Sequence, residues 1–216
     1  MSDTLRTLET SGLVAILRGV PTDAAEATAA ALIAGGVTTF EVTCNTPGAL
    51  DIVAALTRRF GAQACIGVGT VLTVAEVVAA RDAGARFVLS PGFKPEVVHA
   101  TKAAGLVAVP GAMTPSEVIA AQEAGADIVK IFPAGTLGPG YIRNLLGPLD
   151  GSRFMVVGGV DLGNIPDFFR AGAISAGIGG HLVKDALIRD RDWAGLTALA
   201  ARFVACVAEA RVAPPR

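Results

Sequence analysis

A glycine recurs just ahead of a short apolar run eight times, at Gly12, Gly35, Gly61, Gly84, Gly105, Gly125, Gly151 and Gly172, with 20 to 26 residues between successive copies. The runs are LVAIL, VTTFEVT, AQACIGVGT, ARFVLS, LVAVPG, ADIVKIFP, SRFMVVGG and AISAGIGG. They are short and mostly rich in β-branched or aromatic residues, as buried parallel strands are. Ala-rich stretches lie between them, such as TDAAEATAAALIAG, PGALDIVAALTRRFG and TVAEVVAARDAG. Each opens at Thr or Pro and closes near Gly, the start and stop signals of a helix. A parallel pair needs a crossover between its strands, and a helix supplies it. Eight such units predict an α/β fold, a (β/α)8 TIM barrel, with an open doubly wound sheet as the alternative.

The whole chain, 1–216, is expected to be a single domain. No linker, charge block or low-complexity segment divides it, and only the short APPR end departs from the pattern. Residues 1–11 are expected to form a helix across the bottom of the barrel, and 192–211 the last helix. Apolar residues make up 52% of the chain and charged residues 17%, which excludes disorder. The 18 basic and 19 acidic residues nearly cancel without a single-sign run. Neither nucleic acid nor an anionic membrane surface is therefore an expected partner. Cys44, Cys65 and Cys206 stand far apart, without metal-ligand or CxxC spacing, and read as small core residues of a protein in a reducing, cytoplasmic compartment. The start MSDTLRTLET has no apolar signal core, and the apolar runs read as broken before membrane-spanning length.

Barrel chemistry sits at the C-terminal ends of the strands, so the few polar residues there carry weight. Lys130 lies inside DIVKIF, where alternation puts Ile128, Lys130 and Phe132 on one face and Val129 and Ile131 on the other. Facing inward, the amine would be desolvated and its pKa lowered, leaving it free to attack a ketone. The other three of the four lysines, Lys94, Lys102 and Lys184, fall in helix or loop contexts. The competing readings of Lys130 are a snorkelling edge residue or the structural partner of a buried carboxylate. Glu41 in TTFEVT is also ionisable inside a strand, with Thr39 and Thr43 on its face, and reads as a proton shuttle or as an ion pair with Arg18 or Lys130.

The glycine pairs Gly158-Gly159 and Gly179-Gly180 end neighbouring strands and are expected to lead into helix N-termini, where backbone N–H groups bind an anion. Arg18 would place a forked cation suited to a carboxylate at the mouth. His99 reads as a surface residue. His181 has no cluster of further ligands around it, so no metal is expected.

FEVT, GVGTVL, SPG, VPGAMT, VKIFPA and VGGV, in this order over roughly residues 10 to 185, resemble the 2-keto-3-deoxy-6-phosphogluconate (KDPG) aldolases. That family includes 4-hydroxy-2-oxoglutarate (KHG) aldolases and phosphogalactonate aldolases. The resemblance implies a class I aldolase, a carbon–carbon lyase of carbohydrate metabolism that needs no cofactor. Lys130 would form a Schiff base with pyruvate and Glu41 would move protons. Thr70 and Pro91 would line the pyruvyl pocket with Phe132 packed against it, and Gly158, Gly159, Gly179 and Gly180 would receive a phosphate. A phosphorylated 2-keto-3-deoxy sugar acid would be cleaved to pyruvate and glyceraldehyde 3-phosphate, or 4-hydroxy-2-oxoglutarate to pyruvate and glyoxylate, by a homotrimer.

Three positions depart from the phosphogluconate pattern. Asn45 stands where an arginine commonly holds the substrate carboxylate, so Arg18 is expected to replace it. Val157 stands where a threonine contacts the substrate hydroxyls, and together these features point to the phosphogalactonate branch. His181 replaces a serine, leaving the backbone donors of the phosphate site. A phosphosugar isomerase or epimerase on the same barrel, and a non-catalytic phosphoryl-ligand binding protein, are the alternative functions.

Overall fold

In the computed structural model, which describes residues 2–212, each of the eight apolar runs becomes a strand, and the fifth becomes two. The strands are β1 (Leu13–Leu17), β2 (Thr39–Thr43), β3 (Cys65–Gly69), β4 (Phe87–Leu89), β5 (Val107–Val109), β6 (Gly111–Ala112), β7 (Val129–Ile131), β8 (Phe154–Val157) and β9 (Ser175–Ile178). All pairings are parallel, in the order β5-β4-β3-β2-β1-β9-β8-β7-β6. The expectation of eight unbroken strands is corrected at Pro110, which has no N–H to give to a ladder. β5 pairs with β4 and β6 with β7, while the Pro110 carbonyl accepts from Lys130 N at 2.8 Å across the break. One run of chain thus joins both ends of the sheet, and the barrel is nearly closed.

The helices are α1 (Asp3–Ser11), α2 (Thr22–Ala34), α3 (Ala49–Phe60), α4 (Val74–Asp82), α5 (Pro95–Ala103), α6 (Pro115–Glu123), α7 (Ala134–Leu137), α8 (Pro139–Leu146), α9 (Ile165–Arg170), α10 (Asp185–Arg189) and α11 (Trp193–Val212). The start signals work through their side chains. Thr73 and Thr114 each accept a backbone N–H from the glutamate three residues on, and that glutamate, Glu76 or Glu117, reaches back to the threonine N–H. The recurring glycine is left-handed at Gly12, Gly84, Gly105, Gly125, Gly151 and Gly172, where it turns the chain into the next strand. Gly35 fits that pattern for another reason: a Cβ there would strike the Ala200 side chain, so its absence lets α2 meet α11 closely.

Alternation divides the apolar residues into two cores. Val129, Ile131, Phe154, Val156, Ala176 and Ile178 face the helices, whereas Val14, Ile16, Phe87, Leu89, Val107, Val109, Ile128, Met155 and Val157 fill the barrel. α1 closes the bottom by adding Leu5 and Leu8 to the inner cluster. It is held at its rim by Arg86 donating to Thr4 and by an Arg153–Glu9 ion pair at 2.7 Å.

Two sequence expectations change here. α11 is long and apolar enough to cross a membrane by length and composition, with a mean hydropathy of 1.3, contrary to the reading that every such run is interrupted. It packs on α2 and α9, burying Leu196, Ala200, Phe203, Val207 and Ala210. Of the cysteines only Cys65 is buried, and Cys44 and Cys206 are half-buried because they lie near the barrel mouth and on an outer helix. Met1 and residues 213–216, which include the APPR end and the first position of the expected N-terminal helix, lie outside the described residues.

Candidate active site

The ionisable groups inside the barrel come from strands on opposite sides of its mouth. Lys130 on β7 shares the inward face with Ile128 and is only 4% exposed. Its Nζ lies over the Phe132 ring, 5.1 Å from the centroid, an arrangement that favours a cation only modestly. Burial lowers the Lys130 pKa below its ordinary value; Glu41 opposes that shift and Arg18 adds to it. Glu41 on β2 is fully buried, and neither carboxylate oxygen has a hydrogen-bond partner among the described residues. Desolvation raises its pKa, against the opposing charges of Lys130 and Arg18. The glutamate finds room because β3 presents Gly69: a Cβ there would overlap Oε1. Gly67, one pleat below, gives its space to the Phe87 ring.

A buried carboxylate without a partner costs stability, and a structural ion pair would have satisfied it. Lys130 is too buried to reach solvent, and among the described residues Glu41 forms no hydrogen-bonded pair with Lys130 or Arg18. An amine biased toward neutrality can add to a carbonyl carbon, and a carboxyl biased toward protonation can give and take a proton beside it.

Around this pair the mouth is lined by residues expected from the sequence and by several that were not. Arg18 leaves β1 and donates from Nη1 to Asn45 Oδ1 at 3.0 Å and from Nη2 to Thr70 Oγ1 at 3.4 Å. Asn45 entered the sequence reading only as a missing arginine; in the fold it orients the arginine that stands nearby. Thr70 has φ of 61°, rare for a β-branched residue, at the point where the chain leaves β3. Thr46 accepts from Gly19 N at 2.9 Å and bonds with Thr43, tying the loop after β1 to that after β2. Pro91 is half-buried in the loop after β4, and Gly111 is small because its Cβ would overlap the Pro91 carbonyl. Val157 is buried on the inward face of β8, against Gly177. Phe132 is 39% exposed at the rim.

Phe132 also meets the first glycine pair: a Cβ at Gly158 would stand 2.9 Å from its ring, and Gly158 and Gly159 have φ of 85° and 70°. The expectation that both pairs open into helix N-termini is corrected. α9 starts only at Ile165 and α10 at Asp185, so turns intervene, and the anion donors on offer are loop amides. After the second pair, Leu182 N and Val183 N both return to the Gly179 carbonyl. His181 and Gly180 are exposed beside it, and His99 is exposed on α5. Among the described residues there is no group of three or more His, Cys, Asp or Glu side chains able to hold a metal ion. A recess of about 490 Å³ at the opposite end, between Glu9, Phe169, Ile174 and Arg211, contains no buried ionisable group.

The family described as KDPG and KHG aldolase matches residues 5–199. The chain is 38% identical over 191 residues to a probable 2-dehydro-3-deoxy-6-phosphogalactonate aldolase of Rhizobium meliloti (strain 1021), covering 86% of this chain and 90% of that protein. It is 36% identical over 172 residues to a 2-dehydro-3-deoxy-phosphogluconate aldolase of Treponema pallidum (strain Nichols), covering 79% and 81%. Its fold superimposes with a TM-score of 0.87 on KDPG aldolase from Legionella pneumophila, solved with pyruvate captured at low pH as a covalent carbinolamine intermediate. The identity there is 27%, over 93% of this chain and 97% of the other.

Proposed function

Because the chain belongs to the KDPG and KHG aldolase family, we propose that Lys130 and Glu41 carry out a class I aldolase reaction on a 2-keto-3-deoxy-6-phospho sugar acid. The observation that carries this assignment is the buried, ion-pair-free combination of a lysine with lowered pKa and a glutamate with raised pKa at one barrel mouth.

The neutral Lys130 amine adds to the C2 ketone, and loss of water leaves an iminium at C2, adjacent to C3, that serves as the electron sink. Glu41 takes the C4 hydroxyl proton, the C3–C4 electron pair moves into the enamine, and glyceraldehyde 3-phosphate departs. Glu41 returns the proton to C3, and water hydrolyses the iminium to release pyruvate and the free amine. Arg18, oriented by Asn45 and Thr70, holds the substrate carboxylate. Thr70, Pro91 and Phe132 enclose the pyruvyl end. The backbone amides around Gly158, Gly159, Gly179, Gly180 and His181 take the phosphate. The donor chemistry is complete without a cofactor or metal in this mechanism.

Arg18 with Asn45, and Val157 in place of a hydroxyl side chain, favour the galactonate epimer over the gluconate one. 4-Hydroxy-2-oxoglutarate, cleaved to pyruvate and glyoxylate, fits the same pyruvyl pocket without the phosphate contacts. A homotrimer is the proposed assembly, supported by Leu72, Val74 and Val78 at α4 and Met113 and Ile119 at α6, all large apolar side chains left exposed on one chain. A cytoplasmic location goes with its three free cysteines.

Borohydride reduction in the presence of pyruvate, followed by peptide mass analysis, tests the mechanism. A stable pyruvyl adduct on Lys130 is expected; folded protein that gives none would have to be a phosphosugar isomerase or a silent phosphoryl-ligand binder. Comparing kcat/KM for the two epimers tests the substrate assignment, which fails if gluconate is preferred.

A further inference from the structure

The first glycine pair is held from both sides by bonds to its carbonyls. Gly135 N, in α7 just beyond the Lys130 strand, donates to the Gly158 carbonyl at 2.7 Å. Asn164 Nδ2 donates to the Gly159 carbonyl at 2.9 Å, while its Oδ1 accepts from Asp161 N at 3.0 Å. In a planar trans peptide the N–H points opposite to the C=O. Fixing the Gly158 carbonyl therefore aims the Gly159 N–H, and fixing the Gly159 carbonyl aims the Val160 N–H. Neither N–H finds a backbone acceptor among the described residues. Left-handed φ at Gly158 and Gly159 makes this loop one that has other conformations open to it if either bond is lost.

We propose that Asn164 is a positioning residue for the substrate phosphate: its side chain spans the turn after β8 and holds the Val160 N–H toward the barrel mouth as a phosphate donor. The inference rests on the phosphate-binding reading of the glycine pairs. Asn164 touches no reacting atom, so its effect belongs to the phosphate end of the substrate alone.

The test uses Asn164→Ala and Asn164→Ser, the serine keeping a residue well suited to the start of α9 while being too short to reach Gly159. Three readouts separate the roles: KM for the phosphorylated sugar acid, binding of inorganic phosphate by calorimetry, and the rate of borohydride trapping of pyruvate on Lys130. Both variants are expected to raise KM and weaken phosphate binding by about threefold to tenfold, with trapping unchanged. Parent-like phosphate binding in a variant overturns the assignment, and so does a parallel loss in trapping, which would mark a merely structural role. If alanine fails to fold, the serine variant decides by the same criteria. A parent protein that binds no inorganic phosphate sinks the phosphate reading and the inference with it, whereas one that binds phosphate but traps no pyruvate sinks only the aldolase mechanism.

Discussion

Lys130 and Glu41 each resist the charge they would carry in water, and that resistance has consequences for stability that can be measured apart from turnover. Burial depresses the Lys130 pKa below 10.5, so below that pH the unfolded chain binds a proton that the folded one holds less readily. The resulting penalty is full below the depressed folded value and vanishes as pH rises toward 10.5. Lys130→Met is therefore expected to abolish the pyruvyl adduct and yet raise Tm at neutral pH, with the gain shrinking in alkaline solution; calorimetry across pH checks it. For Glu41 the sign reverses, because a raised pKa penalises folding as pH climbs above 4.5. Glu41→Gln should gain stability over the parent in that direction while losing about 10²–10⁴ in kcat. If the parent's Glu41 is ionised when Lys130 titrates, the acid limb of imine trapping in the glutamine variant moves to lower pH, since the carboxylate raises the lysine pKa. Lys130 was visible in the sequence as a charge in an apolar strand. Asn45 and Asn164 were not singled out as site residues, because amides in turns are common and only their partners give them meaning.

At the scale of elements, strands β2 and β3 work as one unit, with Glu41 lying over the space that Gly69 leaves open. Gly69→Ala is expected to displace the carboxylate and reduce aldol cleavage at least as much as Glu41→Gln, with the strand pairing intact by circular dichroism. Retained kcat would show that the carboxylate does not need that position. The strand identities followed from glycine spacing and β-branched runs, and the helix starts from Thr or Pro, while the glutamates that complete the caps at Thr73 and Thr114 emerged only in the structure. The division of the fifth run at Pro110 was legible in principle from a missing donor. What could not be read was the turn geometry after β8 and β9, where α9 and α10 start several residues beyond their glycine pairs. Gly-Gly permits many loop conformations, and tertiary contacts such as Gly135 to Gly158 choose among them.

For the whole molecule, two apolar surfaces had to be satisfied: the inner cluster sealed by α1, and the outer layer between strands and helices. The exposed apolar residues of α4 and α6 belong to neither. Leu72→Glu combined with Val78→Glu is expected to convert the proposed trimer to monomers by light scattering, and an unchanged mass would place the interface elsewhere or overturn the trimer. The sequence by itself determined the order of strands and helices and which residues of β7 share a face, since periods of two residues within strands and of about one helix between them are local properties of the chain; the inward side of that strand and the closure of the sheet it left open. Only the tertiary structure decided that Lys130 and Glu41, 89 positions apart in sequence, share one desolvated mouth without pairing, and that Asn45 and Thr70 turn Arg18 toward it. Desolvation and hydrogen-bond geometry depend on which strands meet across a closed sheet, and that closure is a property of the assembled barrel rather than of any segment.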